Sequence, residues 1–186
     1  MPVHAKPHAQ HYKIVYYGPP MSGKLTSMVS IQRAYQHTGS SAMEAIAAST
    51  ERMTYWEGSI GTPDAMLEQV HCYTVSGGVL YDTSFIRLLM GVDGLIFVAD
   101  SGHDKLAVNI AYLNRLAATL HTLRRDIRTL PIILQYNKRD LPQVIPVETL
   151  DEYLNSAQWP RFETVATIGQ GVGDAFEALC MRLKRP

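Results

Sequence analysis

Short apolar runs alternate with amphipathic stretches along most of this chain, and that alternation predicts its elements. Ile14, Val15, Tyr16 and Tyr17 form a β-branched and aromatic run that reads as a strand. A helix is predicted from Gly23 or Lys24 to about Tyr35. Thr38–Ser49 is small and polar and reads as a mobile loop that adds little to a core. Met53–Trp56 reads as a short strand, Gly58–Pro63 as a turn and Val70–Val75 as a second strand, together a hairpin. Ser76-Gly77-Gly78 breaks it, and Ser84–Met90 reads as a short helix. Gly94–Ala99 is almost continuously apolar, as a strand buried on both faces requires. Leu106, Ile110, Leu113, Leu116, Leu120 and Leu123 fall on one stripe, so Lys105–Arg125 reads as an amphipathic helix. Leu130–Tyr136 is another buried-type strand, and Val147–Leu154 a helix opened by Pro146. Phe162–Ala166 reads as the last strand and Val172–Leu183 as the last helix.

Strands and helices in alternation imply an α/β fold, a doubly wound and mostly parallel sheet with helices on both faces. One domain is expected over 12–186. Residues 1–11 are polar, carry Pro2, Pro7, His4, His8 and His11, and read as a flexible tail rather than a metal site.

Composition narrows the function. Basic and acidic residues balance at 17 each, with no basic run, so nothing favours nucleic acid as a partner. No apolar run approaches the roughly 18 residues of a membrane span. Position 2 is proline and the C-terminus lacks a prenylation cysteine, so no direct membrane anchor is expected and the chain reads as cytoplasmic. Cys72 and Cys180 fall in a predicted strand and helix and read as buried free thiols.

Two stretches carry chemistry. Gly18-Pro19-Pro20-Met21-Ser22-Gly23-Lys24 follows the first strand and opens the first helix, with the Gly-x4-Gly-Lys spacing of a P-loop. Backbone N–H groups of such a loop and the helix N-terminus converge on a concave, positive site, to which Lys24 adds a point charge for the outer phosphates of a nucleotide. An ordinary strand–turn–helix is the alternative. The full motif places Ser or Thr after the lysine as a Mg²⁺ ligand. Here Leu25 stands there, the hydroxyl comes one residue later at Thr26, and a leucine cannot bind a hard cation.

The second stretch is Asn137-Lys138-Arg139-Asp140, directly after a buried strand, where ligands of doubly wound folds sit. An Asp carboxylate at the fourth place accepts two hydrogen bonds from guanine that adenine cannot supply. The lysine stem covers the base, and the asparagine ties this loop to the P-loop. An exposed charged turn is the alternative. Ala166-Thr167 ends the last strand where a backbone N–H would meet the guanine carbonyl. A P-loop kinase or ATPase fits this tetrapeptide poorly.

These motifs, with KIVYYGP at 13–19, GVDG-x-x-FVADS at 91–101, QYNKRDLP at 135–142 and VAT-x-G-x-GV at 165–172, resemble the MglA family of bacterial Ras-like small GTPases, which control cell polarity and surface motility. The resemblance covers nearly the whole chain beyond the tail. It implies a Ras-like P-loop domain that binds GTP and GDP and switches between two states. It also implies an MglB-like roadblock activating protein as partner, polarity or motility effectors, and recruitment to a cell pole by partners.

By that resemblance Gly18, Ser22, Gly23, Lys24, Leu25, Thr26, Gly77, Asn137, Lys138, Asp140, Ala166 and Thr167 surround the nucleotide. Thr26 takes the place near the α-phosphate. Arg52 matches an arginine finger supplied in cis. Three positions depart from the family pattern: Leu25 and Met53 replace the two expected Mg²⁺ ligands, and Gly78 replaces the glutamine that orients water. Thr26 and Thr54 are the remaining candidate hydroxyls for the metal. The departures imply doubtful Mg²⁺ binding and weak or lost GTP hydrolysis. The alternative is a pseudo-GTPase, an interaction module that does not cycle nucleotide.

Overall fold

The computed structural model describes residues 10–35, 44–48, 51–60, 68–76 and 82–184. Their strands are β1 (His11–Tyr17), β2 (Glu44–Ala48), β3 (Glu51–Ile60), β4 (Glu68–Ser76), β5 (Gly94–Asp100), β6 (Ile132–Asn137) and β7 (Arg161–Thr164). The helices are α1 (Lys24–Ala34), α2 (Asp82–Leu89), α3 (Leu106–Thr122), α4 (Val147–Leu154) and α5 (Val172–Leu183). The strands form one seven-stranded sheet in the order β2-β3-β4-β1-β5-β6-β7. β4, β1, β5, β6 and β7 pair in parallel, while β2 and β3 add an antiparallel edge.

Period-two alternation divides the strands between two cores. Val15 and Tyr17, with Leu95, Phe97 and Leu134, pack under Phe85 and Leu89 of α2, Leu116 and Leu120 of α3, and Leu150 of α4. Ile14 and Tyr16, with Trp56, Ile96 and Val98, pack under Met28 and Ile31 of α1 and Phe176 and Leu179 of α5. β5 is buried along its whole length, as its continuous apolar run requires. Both thiols are free and buried, Cys72 on β4 and Cys180 on α5.

The structure corrects several element boundaries. Thr38–Ser49 is not all loop, since 44–48 forms edge strand β2 against β3. An edge strand is held by backbone pairing, so small side chains do not exclude it. Gly58 lies within β3 and not in a turn. A Cβ there would come 2.4 Å from the Trp56 ring, so the glycine makes room for the indole. α3 stops at Thr122 rather than Arg125, because Arg124 adopts a left-handed φ of 55°. Arg125 N–H then bonds Leu120 O, and Arg124 N–H bonds His121 O, both at 2.9 Å, closing the helix without a glycine. β7 ends at Thr164, and Ala166–Ile168 forms a 3-10 turn. His11, assigned to the tail by the sequence, opens β1. Residues 1–9, and with them most of the expected flexible tail, lie outside the described residues, as do Gly77 and Gly78.

Candidate functional site

The loop after β1 is built by close approach. Gly18 has φ 146°, and a Cβ there would meet the Val98 carbonyl oxygen of β5 at 2.2 Å. Gly23, the N-cap of α1, has φ 103°. Met21 takes a left-handed φ of 59° with its side chain exposed. Ser22 N–H bonds Pro19 O at 3.3 Å and tightens the turn. The first-turn N–H groups of α1 have no intrahelical acceptor and point into this loop. No acidic side chain in that turn offsets the positive end of the helix.

Lys24 Nζ donates to Gly18 O at 3.0 Å and Pro19 O at 2.6 Å. Burial pushes its ammonium down from 10.5 to about 8. Beneath the loop, Gln135 Nε2 donates to Ser27 Oγ at 2.7 Å, and Ser27 Oγ donates to Gly23 O at 3.0 Å. β6 therefore supports the start of α1 through a buried relay.

Asn137 joins three segments. Its Nδ2 donates to Ser22 O at 2.7 Å. Its Oδ1 accepts from Thr164 Oγ1 and from Ala166 N–H, both at 3.0 Å. A Cβ on Gly23 would come 2.1 Å from the same Nδ2, so the second P-loop glycine is required by the asparagine as well as by its φ. The pull on Thr164 and Ala166 also explains why β7 gives way to a tight turn where a longer strand was expected.

Lys138, at a left-handed φ of 68°, places its Nζ 2.6 Å from Asp100 Oδ2 at the end of β5. Asp100 is buried, and its Oδ1 accepts Gly102 N–H at 2.9 Å. Arg139 Nε pairs with Glu163 at 2.9 Å and its Nη1 donates to Ile145 O at 2.8 Å, which commits that side chain to neighbouring protein groups. Asp140 is exposed at the mouth of a cavity of about 260 Å³. Met21, Gly23 and Thr26 form one wall of it, Lys138 and Leu141 another, and Ala166 and Thr167 the third. A neighbouring cavity of about 460 Å³ shares Thr26, Ala166 and Thr167 and runs along α1 to Arg33. A larger depression, about 730 Å³, lies at the far end of α3 and contains none of these residues, so size alone does not mark the site.

Gly18, Ser22, Gly23, Lys24, Thr26, Asn137, Lys138, Asp140, Ala166 and Thr167 thus converge on one end of the sheet. Leu25 stands on the first turn of α1, 40% exposed, with no oxygen to offer a metal. Thr54 is buried on β3, in register with Thr74, whose Oγ1 donates to Tyr16 O at 3.2 Å. Arg52 and Met53 lie on the β3 backbone opposite Ser76 and Val75, and their side chains are outside the described residues. Sequence reasoning missed Asp100, Gln135, Ser27 and Thr164. Only Asp100 left a signal, as the one charge closing an otherwise apolar strand.

No family model matches the chain. It is 35% identical over 170 residues to the Mutual gliding-motility protein MglA of Myxococcus xanthus (strain DK1622), which spans 90% of this chain and 87% of that protein. At that identity and coverage the chain belongs to the MglA family of Ras-like small GTPases.

Proposed function

We propose that this protein is a guanine-nucleotide switch of slow or lost intrinsic hydrolysis that acts by binding protein partners. The observation that carries the reading is the Asn137 tie, which holds the P-loop and the Ala166 turn around a cavity with Asp140 at its mouth. The residues fit GDP or GTP. The cavity takes the base, with Asp140 accepting from guanine and Ala166 and Thr167 presenting backbone. The first turn of α1 and Lys24 meet the phosphates, which carry the bond that hydrolysis would break.

The residues do not fit Mg²⁺ in the usual way. Leu25 cannot ligate it, and the Thr74 hydroxyl is committed to Tyr16 O. Catalysis of phosphoryl transfer is positioning plus charge stabilisation, and even intact small GTPases turn over at about 10⁻⁴ per second unaided. With Leu25, Met53 and Gly78 in place, turnover falls below that. Arg52 and Lys24 remain as cationic candidates for the transition state. Similarity to a gliding-motility protein supports a role in polarity or surface motility, through a roadblock-type MglB-like partner and effectors, with any polar recruitment passing through them. A second reading, a module that holds no exchangeable nucleotide, draws support from Lys24, whose ammonium already serves the Gly18 and Pro19 carbonyls.

Calorimetric titration of nucleotide-stripped protein with GDP and ADP tests the proposal. GDP binds at least a hundredfold tighter than ADP, and Asp140→Ala removes most of that preference, since unmatched buried donors cost about 1–3 kcal/mol each. Equal affinity for the two nucleotides refutes the guanine reading. No binding of either favours the module.

A further inference from the structure

At the end of β5, beside the candidate base cavity, one carboxylate is fixed by its neighbours. β1 pairs with β5 only as far as Phe97, so the Asp100 backbone has no partner on β1. The amide of Asn109, buried on α3, takes that place. Its Oδ1 accepts Asp100 N–H at 3.0 Å, and its Nδ2 donates to Asp100 O at 2.8 Å. On the other side Asp100 stands in register with Asn137 of β6, and Ser101 N–H bonds Asn137 O at 2.9 Å. The carboxylate is thereby held in place. Its Oδ1 accepts Gly102 N–H at 2.9 Å, and its Oδ2 accepts from Lys138 Nζ at 2.6 Å.

Stability alone does not account for this pair. The Asp100 side chain is 4% exposed and that of Lys138 31%, so desolvation offsets much of their attraction. Lys138 also sits at a left-handed φ of 68°, a strained backbone for a residue with a Cβ. What the pair fixes is geometry. The lysine is held at its Cα by the backbone and at its Nζ by Asp100, so protein groups set the methylene stem from both ends. That stem forms part of the cavity wall on which the base would lie. The neighbouring Lys105 does not compete for Asp100, since its Nζ lies 2.7 Å from Asp104.

We propose that Asp100, held by Asn109, is a positioning residue for guanine binding. It pins the Lys138 ammonium so that the lysine stem presents a ready apolar wall to the face of the base. The inference rests on the guanine reading of this cavity and adds to it a residue that touches no nucleotide. A lysine left free loses its rotamer freedom when a base lies on it. Immobilising one such side chain on binding weakens affinity by about two- to thirteenfold. Asp100 moves that loss from binding to folding. Because Asn109 belongs to α3, the base wall is tied to that helix as well as to β5.

The test is a double-variant cycle on the nucleotide-stripped, full-length protein, read by GDP calorimetry. In Asp100→Asn the amide oxygen keeps Gly102 N–H, while the amide nitrogen turns a donor toward the Lys138 ammonium and releases it. GDP affinity then falls by about two- to thirteenfold. In a Lys138→Ala background the same Asp100→Asn change brings no further loss, since no stem is left to position. An equal loss in both backgrounds marks a merely structural carboxylate and overturns the proposal. A second measurement does not depend on how the variants fold. In the stripped parent protein, ¹³C relaxation at Lys138 Cε shows a stem as rigid as the backbone of β6 on the ps–ns scale. A freely rotating stem there overturns the proposal whatever the cycle gives. A parent protein that prefers GDP to ADP yet fails either arm refutes this inference alone. One that binds neither nucleotide refutes the guanine reading and this inference with it.

Discussion

Replacing Asn137 by alanine tests the joint on which the site depends. The side chain is 2% exposed and makes three hydrogen bonds, to Ser22 O, Thr164 Oγ1 and Ala166 N–H. Each contributes a net of about 1 kcal/mol, and the partners left behind are buried, so Asn137→Ala costs about 3 kcal/mol or somewhat more. For a domain of this size 1 kcal/mol moves the melting temperature by about 2–4 °C, so the transition falls by about 6–12 °C. The same change frees the P-loop and the Ala166 turn from one another, so GDP affinity falls too. Urea denaturation at two fixed GDP concentrations separates the effects, because bound ligand adds stability only through its own dissociation constant. A loss below about 1 kcal/mol, with GDP affinity unchanged, refutes the argument that this side chain closes the site.

Three further outcomes follow from the same geometry. Gly23→Ala forces a side chain into a left-handed backbone at a cost of about 1–2 kcal/mol and drives its Cβ against Asn137 Nδ2. Double-variant denaturation with Asn137→Ala therefore loses less than the sum of the single losses. Lys24 is charged below about 8 and loses its proton above it, whereas phosphate holds the charge on. GDP affinity is thus greatest below pH 8 and declines as pH rises through it, with proton uptake on binding in that range. The fold responds in the opposite sense, since burying the charge opposes folding below pH 8 and that cost fades toward pH 10.5. Lys24→Arg flattens the binding profile in paired-buffer calorimetry, and a parent protein with no step between pH 7 and 9 contradicts the assignment. Leu25→Thr, Met53→Thr and Gly78→Gln together restore Mg²⁺-dependent single-turnover hydrolysis while any one alone does little, because groups acting on one transition state are not additive. Ordinary Mg²⁺-dependent turnover by the parent protein defeats that account.

What the sequence disclosed about this fold was what is local in the chain. Pro146 and the apolar spacing after it locate α4, and the run through Gly94 marks β5 because burial on both faces leaves a continuous apolar signature. The end of α3 was hidden because an arginine takes the left-handed place a glycine would have announced. β2 was hidden because backbone pairing at an edge needs no particular side chains, and Gly58 because a glycine under an indole looks like a glycine in a turn. At the site, the P-loop and Asn137-Lys138-Arg139-Asp140 were legible because each is a compact spacing. The contacts that make them one structure, Gln135 to Ser27 and Lys138 to Asp100, join residues far apart in sequence and are settled only by sheet order.

That sheet order governs when the site comes into being. β1 carries the P-loop, yet its neighbours are β4 and β5, and the loop is tied by an asparagine 115 positions later. During translation at about 5–20 residues per second, the P-loop leaves the ribosome roughly 6 to 23 seconds before Asn137 does. Until then the loop has its neighbouring strands but not the asparagine that ties it. A topology rich in such distant pairings folds on the slow side, in about milliseconds to seconds, and the last turns of the site, at Thr164 and Ala166, wait longer still. The joint between the two loops is therefore completed late: a chain ended before Asn137 and Ala166 lacks the tie that holds them together.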